Sequence, residues 1–144
     1  MTSVKDDSTD EPHVLVLLGS VLQHFRELVA QEDWGGLRAS HFRMMAAVPT
    51  AGITVTELAQ RLGMTKQGCG QFATGMVELG LLSSGTDPQD RRARVVRLTP
   101  AGRRTIRRFE RRVAEVERDW AAAVGPRRYA TFRAVLTELP NTAG

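Results

Sequence analysis

Two groups of side chains in this 144-residue chain have the chemistry to hold and read a polyanion. The first is Thr65, Lys66, Gln67 and Gln71. A glutamine amide can pair with both N6 and N7 of adenine, and a good bidentate contact of that kind discriminates by about 1–3 kcal/mol. Thr65 and Lys66 stand where a helix begins, and a helix N-terminus favours phosphate. The second group is Asp90-Arg91-Arg92-Ala93-Arg94. Arginine carries a planar fork that binds two acceptors at once. A small basic loop can enter a narrow minor groove, which attracts arginine. Arg92 is the expected groove probe, with Arg91 and Arg94 on the phosphate backbone. Asp90 is expected to orient Arg92 by a charge-assisted hydrogen bond.

The arginines are concentrated. Ten of the 20 Lys+Arg lie between Arg91 and Arg112, where Glu110 is the one acid. The acids gather elsewhere: Asp6, Asp7, Asp10, Glu11, Glu27, Glu32 and Asp33 face only Lys5 and Arg26 in the first 33 residues. Net charge is +4, unevenly placed, which points to an anionic partner on one side of the molecule.

Both groups need elements to position them. Thr54-Val55-Thr56-Glu57 fits a capping box, which starts a helix over 55–62 with Gly63 as its left-handed stop. Thr65 caps the next helix, which runs to about Leu79 and ends at Gly80. Such a helix-turn-helix pair places its second helix in the DNA major groove. On a helical wheel Cys69, Phe72, Ala73, Met76 and Leu79 share one side, and Gln67, Gly70, Gln71, Thr74 and Glu78 the other. An ordinary amphipathic helix with a solvated polar face has the same pattern. Leu81–Ser84 and Val95–Leu98 are predicted strands around an Asp87–Arg91 turn. By itself that turn reads equally as a solvated charge run. Its position after a helix pair favours a wing.

The remaining segments are helical. Residues 1–11 are acidic and expected to be disordered. Val14, Leu18, Val21, Phe25 and Leu28 set a helical stripe, widened by Leu15, Leu17, Leu22 and Val29. A stripe that wide is more than one neighbour covers, and a second subunit would cover the rest. A helix capped at Ser40 is predicted to run to Val48. Pro100 opens a long helix with a heptad-like seam of Ile106, Phe109, Val113, Val116, Trp120 and Ala123. Gly125-Pro126 breaks it, and a last helix aligns Tyr129, Phe132, Leu136 and Leu139. The expected fold class is mainly α with a small β-hairpin, in a single domain over 12–144.

Leu62-Gly63-Met64-Thr65-Lys66-Gln67, Glu78-Leu79-Gly80-Leu81-Leu82, and Asp87 through Gly102 with its Leu-Thr-Pro-Ala-Gly ending together resemble the MarR family of bacterial winged helix-turn-helix regulators. The likeness runs upstream through Leu37–Arg43 and covers roughly 13–140. The resemblance implies a winged helix-turn-helix over about 37–100, flanked by dimerisation helices over about 12–32 and 100–140. It implies a homodimer, acting as a transcriptional repressor or activator on a pseudo-palindrome of double-stranded DNA, often released by a small-molecule effector. It makes Arg92 the wing-tip arginine with Asp90 as its partner. Thr65, Lys66, Gln67 and Gln71 match its recognition-helix positions. Gly68, Gly70 and Gly75 depart from the family, which carries larger side chains there. Each costs about 1 kcal/mol relative to alanine in a helix interior. Close approach of backbone to DNA at Gly70 is the expected reason; a loose helix or weakened DNA binding are the alternatives.

Other residues invite bolder readings. Cys69 is the one cysteine, which excludes an intrachain disulfide framework and makes a reducing cytoplasm the default. It falls on the inward side of its helix, where a small apolar core role is expected. His13, His24 and His41 lack metal-ligand spacing, so neither metal nor cofactor is expected. Phe25, Trp34, His41 and Met45 are candidates to border an effector pocket, by family analogy alone. The chain shows no nucleophile–base pairing or glycine-rich phosphate loop and is not expected to be an enzyme. No apolar run reaches the ~20 residues a membrane span needs. The rival reading is a winged-helix protein-interaction module of the anti-activator type, which would use the same surface on an acidic protein.

Overall fold

The computed structural model describes residues 11–142. The acidic tail expected at 1–11 lies outside them but for Glu11. The chain resolves into two compact units, divided between Glu32 and Asp33.

The first unit holds one helix, α1 (Val14–Val29). It begins after His13, which stands at its N-cap. Its polar residues answer one another: the Ser20 hydroxyl donates to the Val16 carbonyl, and Gln23 donates to Glu27 four residues on. Of the face the spacing predicted, Val14, Leu15, Leu17, Leu18, Val21 and Leu22 are exposed, with Val16 beside them, while Phe25 and Leu28 are half-buried and Val29 is buried.

The second unit runs α2 (Ala39–Ala47), β1 (Ile53–Thr54), α3 (Val55–Leu62), α4 (Lys66–Glu78), β2 (Leu82–Thr86), β3 (Arg94–Leu98), α5 (Pro100–Val124) and α6 (Pro126–Glu138), closed by a 3-10 turn at Leu139–Asn141. Its core is built from one face of each element except α6. Phe42 and Met45 come from α2, Leu58 and Leu62 from α3, Cys69, Ala73 and Met76 from α4, Leu82 and Val96 from the hairpin, and Ile106 from α5. The cap expected at Ser40 falls at Arg38 instead. There the Arg38 N–H donates to His41 Nδ1 at 2.9 Å, so the imidazole takes the part that Glu or Gln plays in a capping box, serving the cap residue's own N–H.

The three strands form one antiparallel sheet in the order β1-β3-β2. The hairpin register pairs Leu82 with Leu98 and Thr86 with Arg94. β1 was not anticipated. Two residues are too few for an alternation to show, and its partners Val95 and Val96 lie some forty residues away. Both wing strands are longer than expected, extending to Thr86 on one side and back to Arg94 on the other.

The Leu-Thr-Pro-Ala-Gly sequence has a structural cause. The Thr99 N–H donates to the Leu81 carbonyl at 3.1 Å, and the Thr99 hydroxyl donates to the Gly80 carbonyl at 2.6 Å. The same hydroxyl accepts from the Gly102 N–H at 3.0 Å and so caps α5. Thr99 thus ties the end of the recognition segment to the start of the long helix. Further along α5, Ile106 and Val116 are buried and Phe109, Val113 and Trp120 half-buried, so the predicted seam packs except at Ala123. Glu117 fixes α6 to α5: one carboxylate oxygen accepts from the Tyr129 hydroxyl at 2.8 Å and from Arg133 at 2.6 Å. On α6, Phe132, Val135 and Leu136 are exposed, as is Leu139 in the turn beyond it.

Candidate nucleic-acid interface

Local capping chemistry sets the helix pair. Thr54 Oγ1 accepts from the Glu57 N–H at 3.2 Å to start α3, and Gly63 stops it with φ of 63°. Arg43 of α2 then donates to the Leu62 carbonyl at 3.0 Å, closing the C-terminal end of α3. Thr65 Oγ1 accepts from the Gly68 N–H at 3.0 Å and starts α4. A Cβ on residue 68 would lie 2.9 Å from that hydroxyl oxygen. One of the three unusual glycines is therefore explained by the cap it sits beneath.

The wheel drawn from sequence holds along α4 except at its end, where Leu79, expected inward, is exposed. Cys69, Ala73 and Met76 are buried, while Thr65, Lys66, Gln67, Gln71 and Thr74 are exposed. Gly70 is half-buried instead of central on the open face, because it lies beside Val55 of α3. A Cβ there would meet the Val55 side chain at 3.8 Å, ordinary contact, so no steric demand inside the chain requires glycine at 70. Nothing lies within 4 Å of a Cβ at Gly75.

The wing tip is a series of nested turns. Asp87 N–H donates to Ala93 O at 3.1 Å, Asp90 N–H to Asp87 O at 3.2 Å, and Ala93 N–H to Asp90 O at 3.0 Å. The carboxylates reinforce the backbone: Asp87 Oδ1 accepts from the Gln89 N–H at 2.9 Å and Asp90 Oδ1 from the Arg92 N–H at 3.0 Å. The charge-assisted bond expected between Asp90 and Arg92 is thus made to the main chain of Arg92. A short acidic side chain reaches its own backbone two residues on more readily than a long arginine head. Arg91 and Arg92 are both exposed.

Arg94 points back into the protein. Its Nε donates to Ser84 Oγ at 2.8 Å, and its Nη1 donates to the Gly70 carbonyl at 3.1 Å and to Thr74 Oγ1 at 3.0 Å. Sequence places Thr74 on the outward side of α4 but pairs neither it nor Ser84 with Arg94. Their proximity depends on the hairpin register and on how the hairpin docks on α4, and no local pattern reports either. Between α3, α4 and the wing lies an open cleft of about 460 Å³, lined by Val55 and Thr56, by Lys66, Gln67 and Gly70, and by Arg92 to Arg94. Lys66 and Gln67 of the first group and Arg92 to Arg94 of the second thus share one cleft, which Thr65, Gln71, Asp90 and Arg91 do not line.

Three of the four candidate pocket residues, Trp34, His41 and Met45, belong to the second unit. Phe25 lies on α1, in the other unit. Trp34 sits edge-on to Phe42 and Phe109, with ring centroids 5.0 and 6.0 Å away, and Arg108 lies 4.4 Å over its face. His41 stands against Phe72 at 5.1 Å while it caps α2. Met45 is a fully buried core residue. Cys69 is also buried in the core, and that burial pushes its thiol up, opposed in part by the charge of Arg94. Among the described residues no group of three His, Cys, Asp or Glu could hold a metal ion, and no helix is long and apolar enough to cross a membrane.

Comparison with known proteins bears directly on this surface. The sequence profile described as the MarR family matches residues 36–93, which contain the helix pair and most of the wing. The HTH-type transcriptional regulator PetP of Rhodobacter capsulatus is 32% identical over 120 residues, covering 81% of this chain and 69% of that protein. In fold, the chain is similar to MepR of S. aureus in its crystallised DNA complex, with a TM-score of 0.76 at 17% identity over 92% of this chain and 100% of that one. It is similar as well to PcaV of Streptomyces coelicolor, crystallised with its natural ligand, with a TM-score of 0.74 at 22% identity over the whole of both chains. Those two likenesses establish a shared fold, and the sequence relationship to PetP goes further: this chain belongs to the MarR family of transcriptional regulators.

Proposed function

We propose that the protein is a sequence-specific DNA-binding repressor, acting as a homodimer on a pseudo-palindromic operator and released by a small-molecule effector. The observation that carries the reading is the shared cleft, where Lys66 and Gln67 of α4 face Arg92 of the wing. In this reading Gln67 and Gln71 read base edges in the major groove, and Thr65 and Lys66 hold phosphate at the helix start. Arg92 probes the adjacent minor groove, with Arg91 on the backbone beside it. The exposed apolar faces of α1 and of α6 support pairing with a second copy, since apolar surface on that scale is normally covered in a working protein. A crystallised ligand complex of PcaV supports an effector.

Selection from a random-sequence duplex pool tests this reading. The enriched sequence should be a pseudo-palindrome whose half-sites are centred about one helical turn apart, the spacing that two-fold related recognition helices require. Gly70 and Gly75, which put no side chain on α4, are what favour the rival reading as a protein-interaction module. A pool that fails to enrich would support that rival.

A further inference from the structure

We infer that Arg94 is a positioning residue that locks the wing to the recognition helix, and that it does not contact DNA phosphate. The inference rests on the DNA-binding reading above and assigns a part of that site to internal work. Three observations converge on it. Arg94 is half-buried as a residue, whereas Arg91 and Arg92 are exposed. It bonds three acceptors on two other elements: Ser84 Oγ of β2, and the Gly70 carbonyl and Thr74 hydroxyl of α4. Thr74 Oγ1 itself donates to the Gly70 carbonyl at 3.0 Å, so Arg94 closes a three-membered network across one turn of α4.

That turn is where the helix needs support. Gly70 and Gly75 both loosen it, and neither is demanded by neighbouring atoms. Gln71, the expected base reader, lies inside the Gly70–Thr74 turn that Arg94 grips. Because Arg94 is the first residue of β3, the same grip fixes where the wing tip leaves the sheet, and with it Arg92. A flat fork with donors at Nε and Nη1 serves all three acceptors, whereas a lysine offers a single point charge.

The test compares Arg94→Ala, Arg94→Lys and Thr74→Val with the unaltered protein. Hydrogen exchange of the α4 amides comes first, since it needs no DNA. Arg94→Ala and Arg94→Lys should each speed exchange over residues 70–77 by about tenfold while α5 is unchanged, the mark of local opening. Binding is then measured to a duplex selected by the unaltered protein and to its scrambled version. Both Arg94 variants should lose about tenfold on the selected duplex and little on the scrambled one, with the steepness of the salt dependence retained. Thr74→Val should show the same selective loss, and its combination with Arg94→Ala should be less than additive. The inference is overturned if α4 exchange stays unchanged in Arg94→Ala. It is overturned equally if Arg94→Lys binds as the unaltered protein does, or if the salt slope falls by about one, which is the signature of a lost phosphate contact. If no duplex can be selected, the DNA-binding reading fails, and the exchange measurement still decides whether Arg94 holds α4.

Discussion

Gly102 packs so closely beneath Leu81 that a Cβ on residue 102 would collide with the Leu81 carbonyl oxygen. The same carbonyl accepts the Thr99 N–H, so it cannot turn aside without losing a bond. This contact joins the end of α4 to the start of α5, and it gives the Leu-Thr-Pro-Ala-Gly ending its physical meaning. Gly102→Ala should therefore destabilise the protein, although alanine is normally the better helix former. The expected loss is about 2–3 kcal/mol, the upper part of the range for overpacking. It would be read as a lower denaturant midpoint with an unchanged slope. Gly75→Ala, where space is open, should be neutral or stabilising in the same assay.

Arg92 and Gln71 should fail in different ways. Arg92→Ala should weaken binding to selected and scrambled duplexes alike, or chiefly at A·T-rich flanks, and reduce the steepness of the salt dependence by about one. Gln71→Ala should relax one base position by about 1–3 kcal/mol and leave the salt slope alone. Titrations at several salt concentrations separate the two, and equal operator binding by the Arg92 variant at moderate salt would remove the wing from the interface.

Tyr129 is the one tyrosine of the chain, so its ionisation can be followed without interference. Burial, then its hydrogen bond to Glu117, then the charge of that carboxylate push its phenol up to about 12, against an opposing effect of Arg133. The folded state thus holds this proton more tightly than the unfolded chain does. Its contribution to stability is whole below the ordinary value of 10 and is lost as pH rises through about 12. Ultraviolet titration of the native protein should show phenolate forming near the raised value. Glu117→Gln should bring the transition back toward 10, and an unshifted transition in the unaltered protein would deny the α5–α6 tie.

What could be read from sequence follows the range of the forces involved. α3 and its Gly63 stop, and the Thr65 cap, are visible in sequence because capping is decided within four residues. The Cys69, Ala73 and Met76 face is visible because periodicity alone dictates it. β1 is not, since it exists only by pairing with β3. The partners of Arg94 are hidden for a similar reason: Ser84 sits ten residues away across a register, and Gly70 and Thr74 lie on another element. Asp90 shows the intermediate case. Its link to Arg92 was legible, but which atoms make it depended on the turn geometry. Gly68 reads as a weakness until the Thr65 hydroxyl above it is seen.

The most direct test of a winged reader of DNA is the ratio of affinities for the selected duplex and its scrambled version at physiological salt. The account predicts a ratio of about a thousandfold or more, with both affinities falling steeply as salt rises. Equal affinity for the two duplexes, or binding that salt does not weaken, would contradict it.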